Sequence, residues 1–303
     1  RLRSSFGSEG EGPGEFGSIQ AVWPWAGDTL LAFDRRHQRL TRWTLDGELG
    51  GTSPLDPPLT DPIRTAGRFS DGSLLVGEIS WEREGDGFEW RPLRLHRYAA
   101  DGSALDTIAE VRGQLIGSVQ FRGAVGIGSP HFAVPTQATA VGDRIMTSTV
   151  EGFELRELDL EGNLRRSIRW RGRDPTVTDQ DVERFLEDRL AELEGDDSRA
   201  RTRELIEAFP TAERFRAVSG LRSGPAGGVW AREYGRPRDP PGERWLAFDA
   251  TGRILGRLRL PDRVRLRAVG EDHLIVVERD ELDVEYVAIY DLPWAPTGSG
   301  GAG

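Results

Sequence analysis

The sequence predicts an all-β fold, a β-propeller of four-stranded antiparallel blades interrupted by one helical hairpin. Three observations predict it. Short apolar runs bounded by Gly/Asp turns recur along the chain; several are apolar at consecutive positions; and residues 174–213 switch to a helical apolar period. The first unit runs from Gly27-Asp28 through Leu30–Phe33, breaks at Arg35–Gln38, resumes at Leu40–Leu45 and turns at Asp46-Gly47. A second opens at Asp71-Gly72 and closes at Asp101-Gly102. Further units open at Gly142-Asp143, Gly227-Gly228 and Glu271-Asp272, so five are legible. Opening turns are spaced by 44, 71, 85 and 44 residues, and the two shorter gaps match the repeat length of a four-stranded blade. Runs such as Leu30–Phe33 and Leu274–Val277 suit strands covered on both faces by neighbouring sheets.

Composition bounds the function. At 303 residues the chain can bury a sizeable core. With 37% apolar and 30% charged residues, a mean hydropathy of -0.49 and no apolar run near 20 residues, no membrane span is expected. Acidic groups outnumber basic ones by 50 to 40, and the net charge of -10 opposes a nucleic-acid partner. All the basic residues are Arg, and there is no Cys for a disulfide, a zinc knuckle or a thiol nucleophile. Residue 1 is Arg rather than Met, which suggests a processed chain from which an export signal has gone.

The opening Phe6-Gly7, Gly10-Glu11-Gly12-Pro13-Gly14-Glu15-Phe16, then Phe33-Asp34 and the Trp43 to Asp46-Gly47 turn, resembles the NHL-type six-bladed β-propellers of bacteria. The segments Val229–Tyr234, Phe248-Asp249 and Asp280–Asp283 are similar to a bacterial branch of that class. The resemblance spans roughly residues 1–292 and implies six blades, with residues 104–136 the place for a weak sixth. It also implies a choice of roles, since such propellers include binding platforms, lyases and hydrolases. Residues 1–295 are expected to form one domain, with 296–303 a flexible Gly-rich tail. The strand-like Arg1–Phe6, lacking a unit of its own, is expected to pair with the last blade and close the ring.

In 174–213, Thr178 with Asp181 makes a capping-box start, and Val182, Phe185, Leu186, Leu190 and Leu193 fall at helical spacing. Gly195 with Asp196–Ser198 reads as a stop and a new cap, and Leu205, Ile206 and Phe209 form a second stripe ended by Pro210. In a four-stranded meander, the loop after the second strand and the link to the next blade emerge on the same side. The hairpin therefore shares one face with Asp34–Gln38, Trp81–Trp90, Tyr234–Arg244 and Arg279–Asp283. Trp23, Trp25, Trp43, Trp230 and Trp245 lie in strands and read as blade packing.

That face carries the candidate ligand-binding residues: Arg35, Arg36 and His37; Trp81, Arg83 and Trp90; Arg232, Tyr234, Arg236 and Arg238; and Arg279. Arg beside aromatic rings suits carboxylates, sugars or peptide backbone through forked hydrogen bonds and stacking. No catalytic residue is assigned. There is no GxSxG elbow, P-loop or HExxH, and His37, His96, His131 and His273 lie in separate segments. Lactonase-like propellers, which resemble this fold, hold a divalent ion with Glu, Asn and Asp. Here Asn163 is the only Asn and falls in a turn at the opposite face. Asp280, Glu281 and Asp283 are the weak alternative ligands for a hard cation such as calcium. The preferred expectation is a non-enzymatic, exported propeller, periplasmic or extracellular, binding a protein, peptide or saccharide at the helix-decorated face. The alternatives are a metal-assisted hydrolase or lyase at the central channel and a structural module of a larger assembly.

Overall fold

The computed structural model describes residues 5–60, 63–80, 87–150 and 152–292. A short parallel pair, β1 (Ser8–Glu9) and β2 (Glu15–Phe16), leads the chain. Sheet one holds β3 (Ile19–Trp25), β4 (Thr29–Asp34), β5 (Arg39–Thr44) and β6 (Leu49–Pro54). Sheet two holds β7 (Ile63–Arg68), β8 (Leu74–Ile79), β9 (Phe88–Tyr98), β10 (Ala104–Phe121) and β11 (Ala124–Gly128). Sheet three holds β12 (Ala138–Val141), β13 (Arg144–Ser148), β14 (Glu154–Leu158) and β15 (Leu164–Arg169). After α1 (Asp179–Ala191) and α2 (Asp196–Ala208), sheet four holds β16 (Val218–Ser223), β17 (Val229–Glu233), β18 (Arg244–Phe248) and β19 (Ile254–Arg259). Sheet five holds β20 (Val264–Val269), β21 (His273–Arg279) and β22 (Glu285–Asp291). Each of these five sheets is an antiparallel meander of strands in chain order, as a propeller requires.

The sheets stack through their apolar faces. Leu31, Phe33 and Leu40 of sheet one meet Leu74, Val76 and Tyr98 of sheet two, whose Leu75 and Leu95 meet Ala140 and Ile145 of sheet three. Met146 and Leu155 meet Ala231 and Phe248 of sheet four, whose Trp230 and Trp245 meet Leu266 and Val276 of sheet five. Each buried Leu, Ile, Val, Phe or Met among them contributes about 1.5–3 kcal/mol. First strands touch in succession, β7 with β12, β12 with β16 and β16 with β20, and so converge toward the axis. The tryptophan expectation holds for Trp230 and Trp245, which are buried, and for Trp23 and Trp25, packed against the core, whereas Trp43 lies outside the core clusters against Phe6.

One detail repeats at the end opposite the helices. The turn between the third and fourth strands carries a left-handed Gly, at φ 89° for Gly102, 79° for Gly162 and 85° for Gly252. Each lies on the preceding sheet: an added Cβ would fall 2.0 Å from the Pro54 carbonyl oxygen, 2.2 Å from that of Ile108 and 2.8 Å from the Ile168 side chain. Only Gly suits both the conformation and the approach.

Two expectations change, and a third falls mostly outside the described residues. Residues 104–136 are not a sixth blade: 104–121 form the outer strand of sheet two, which pairs along all of β9 and then turns into β11. The described residues give five antiparallel sheets beside the β1–β2 pair. Closure by Arg1–Phe6 lies largely outside the described residues, but Phe6 itself packs on Trp43 of sheet one, with ring centroids 5.0 Å apart. Among the described residues, sheet five keeps three strands and β22 has no partner on its far edge. Ser198, expected in a new cap, makes no capping bond; α2 starts from Gly195 at φ 82°.

Candidate functional site

The loop after the second strand of sheet four meets the helical hairpin and the chain leading into it, as expected from strand order. Thr178 caps α1: its backbone N–H donates to Asp181 Oδ2 at 3.0 Å while its hydroxyl accepts from the Asp181 N–H. Glu204 on α2 takes two hydrogen bonds from Arg122 at the β10–β11 turn, at 2.6 and 2.8 Å. Phe209 lies against Phe88, His131 and the backbone of Gly128. Phe185 of α1 packs on His131 and Phe132, and Phe132 on Phe215. The long outer strand of sheet two is thus the post on which the hairpin rests.

Between the segment leading into sheet three and the first strand of sheet five lies an open cleft of about 510 Å³, walled by Val134, Pro135, Gln137, Ser219, Arg232, Tyr234, Glu243 and Arg265, with Glu233, Gly235 and Gly242 completing the lining. Its floor is a buried carboxylate. Glu243 Oε1 accepts from Arg232 Nη1 at 2.9 Å, and Oε2 accepts from Trp245 Nε1 at 3.0 Å and the Leu266 N–H at 3.1 Å. Arg265 stands 4.0 Å from the same carboxylate. Arg232 is further fixed on Ser219, whose hydroxyl and carbonyl accept at 3.1 Å each. Tyr234 stacks on Phe215 with ring centroids 5.7 Å apart, and burial pushes its phenol up to about 12. Its hydroxyl has no hydrogen-bond partner among the described residues.

Of the expected ligand-binding residues, the structure brings together Arg232 and Tyr234. Trp90 lies in the same end of the molecule, its indole between two guanidinium groups, Arg112 at 5.2 Å and Arg216 at 5.1 Å. Arg236 and Arg238 are tied inward. Arg236 stacks on Phe215 at 4.8 Å, its N–H donates to Asp239, and Arg238 donates to Gln180 of α1 at 2.8 Å. Asp239 holds this loop to the chain leading into the helices, accepting from Arg173 at 2.5 and 2.9 Å and from Arg244.

Arg36 and His37 wrap around Asp34, and Arg35 beside them donates its N–H to the Ser18 carbonyl. The buried Asp34 carboxylate accepts from the N–H groups of Gly17, Ser18, Arg36 and His37 and pairs with His37 Nδ1 at 2.7 Å, while the Arg35 and Arg36 side chains are exposed. Arg279 is spent on Glu285, at 2.8 and 2.9 Å. Trp81 and Arg83 lie outside the described residues. Asp280 does not open toward a cation with Glu281 and Asp283: it accepts the N–H groups of Leu282 and Val284 and the Tyr286 hydroxyl. Among the described residues no three His, Asp or Glu side chains are grouped to hold a metal. Sequence reasoning missed Ser219, Glu243 and Arg265. The signal available was their position at the helix-side ends of strands in consecutive units.

No protein-family model matches the chain, and no curated protein matches it in sequence. Solved structures are similar in fold. A protein described as exported, from Bacteroides fragilis, shares 12% identity over 90% of this chain and 70% of its own, with a TM-score of 0.45. Virginiamycin B lyase from Staphylococcus aureus, in a catalytically inactive form, shares 9% over 88% and 78%, at 0.38. BamB from Moraxella catarrhalis shares 14% over 89% and 81%, at 0.34.

Proposed function

We propose that the chain is a binding propeller whose helix-decorated end captures an extended segment of a protein partner in the cleft between sheets three, four and five. The observation that supports this is the lining: cationic donors in Arg232 and Arg265, acceptors in Glu233 and Gln137, and an unclaimed phenol in Tyr234, around an open trough of about 510 Å³. A mixed set of donors and acceptors beside aromatic surface suits peptide backbone with one or two side chains. The reading keeps the NHL-type relationship, supported by the Gly10–Phe16 opening and the Phe33-Asp34 turn. It also keeps a periplasmic or extracellular setting, to be checked by fractionation. A metal-assisted hydrolase or lyase gains no support from the positions of the four His or of Asp280.

The test is a displayed peptide library screened on the immobilised chain beside a glycan array. Peptide binders are expected that lose tenfold or more in affinity with Tyr234→Ala while the melting temperature stays within a few degrees. Binders confined to saccharides, or peptides indifferent to Tyr234→Ala and Arg265→Ala, would overturn the reading.

A further inference from the structure

Three polar side chains run in a line across β8, β9 and β10 of sheet two. His96 Nδ1 lies 3.0 Å from Thr107 Oγ1, and His96 Nε2 lies 3.2 Å from Glu78 Oε2. The register sets His96 opposite both Val76 and Thr107, and Glu78 is two residues along from Val76, so all three share one face. That face looks toward sheet one, because Leu74, Val76 and Tyr98 pack there. Thr60, in the link from sheet one, holds the other carboxylate oxygen: its N–H and its hydroxyl donate to Glu78 Oε1 at 3.0 and 3.3 Å.

A carboxylate only accepts, so Nε2 carries the proton of the neutral imidazole, Nδ1 is left as the acceptor, and the Thr107 hydroxyl donates to it. Burial is graded along the line. The Glu78 side chain is 7% exposed and that of His96 14%, whereas Thr107 is open to solvent. The orienting end is therefore dry and fixed, and the reacting end is accessible. A base within hydrogen-bond reach of a hydroxyl, itself aligned by a third group, is what turns that hydroxyl into a nucleophile. Among the described residues, His37 and His273 meet an aspartate alone and His131 a backbone carbonyl; His96 is the histidine that joins a hydroxyl to a carboxylate.

We propose that Thr107 is a nucleophile toward small carboxylic esters, with His96 as its general base and Glu78 as the positioning residue. Thr107 Oγ1 bonds to the ester carbonyl carbon as its proton passes to His96 Nδ1. Collapse of the adduct breaks the bond to the leaving alkoxide, which takes that proton. Water, deprotonated in turn by Nδ1, then releases the carboxylic acid and restores the hydroxyl. The β-branched Thr107 crowds its own oxygen, which limits the acyl group to a small one. None of these residues lines the cleft between sheets three, four and five, so the peptide screen and this chemistry succeed or fail separately.

The whole chain mixed with p-nitrophenyl acetate tests it, by release of p-nitrophenolate and by peptide mapping of the acetylated protein. Acetyl is expected on Thr107. Thr107→Val, at an exposed position, should keep the melting temperature and lose the release, while Thr107→Ser keeps it. His96→Gln should slow release roughly a hundredfold or more. Glu78→Gln should lower kcat about tenfold or more at unchanged KM, and Glu78→Asp should restore part of it, a split that simple loosening of the sheet would not produce. Release undiminished in Thr107→Val, acetyl found only on other groups, or labelling of Thr107 indifferent to His96→Gln in folded protein would overturn the proposal.

Discussion

Asp34 and Asp239 each bind a loop by gathering donors around one carboxylate. At Asp34, burial works against ionisation, but the Gly17 and Ser18 N–H groups and both donors of His37 outweigh it and hold the carboxyl below 3.8. Asp34→Ala would strand several donors in a dry site, and a loss of roughly 3 kcal/mol or more is expected in chemical denaturation. At Asp239, burial is outweighed by Arg173, the Arg236 N–H and Arg244, which hold the carboxyl well below 3.8. A depressed folded-state pKa stabilises above the unfolded value, and that contribution fades as pH falls through the folded one. The melting gap between wild type and Asp239→Asn should therefore be steady from about pH 7 to 5 and shrink below about pH 4. The sequence could not assign Arg35, Arg36 and His37, because residue type does not reveal whether a turn faces a ligand or its own carboxylate. Arg232 and Tyr234 were found because they end a strand beside a long loop.

At the scale of elements, local rules carried α1 well. The Thr178/Asp181 box is in place, and the expected stripe supplies Phe185 to its contacts with His131 and Phe132. The length of β10 was hidden. Register shifts at Ala104/Asp106, Thr107/Ala109 and Arg112/Gln114 move its apolar positions from one face to the other, so an 18-residue strand reads as a broken, weak blade. The hairpin is held by few contacts, and α2 buries no residue fully. Phe209→Ala removes its anchor on Phe88, His131 and Gly128. Helical circular dichroism should fall and protease cleavage between α1 and α2 rise, at a local cost of about 3 kcal/mol, while the sheets keep their melting transition.

Across the whole molecule, the repeat was readable because each sheet needs the same turn in the same place. What the repeat could not show was how many units the chain would spend, since a long outer strand and a short blade draw on similar residues. The Gly turns join the sheets mechanically, and Gly162→Ala tests this. With φ at 79° and the Ile108 carbonyl 2.2 Å from the new Cβ, a loss of about 2–4 kcal/mol should appear as one cooperative transition at lower temperature, not as a separate early phase.

Among the described residues the far margin of β22 is bare, and this has its own consequence. Val287 is 74% exposed and Ile289 69%, on a seven-residue strand without Lys, Arg or Pro. Such a strand templates cross-chain zippering, so concentrated protein should form thioflavin-reactive oligomers seeded from this margin. Val287→Lys would place a gatekeeper charge there, and light scattering should show a slower onset with unchanged melting.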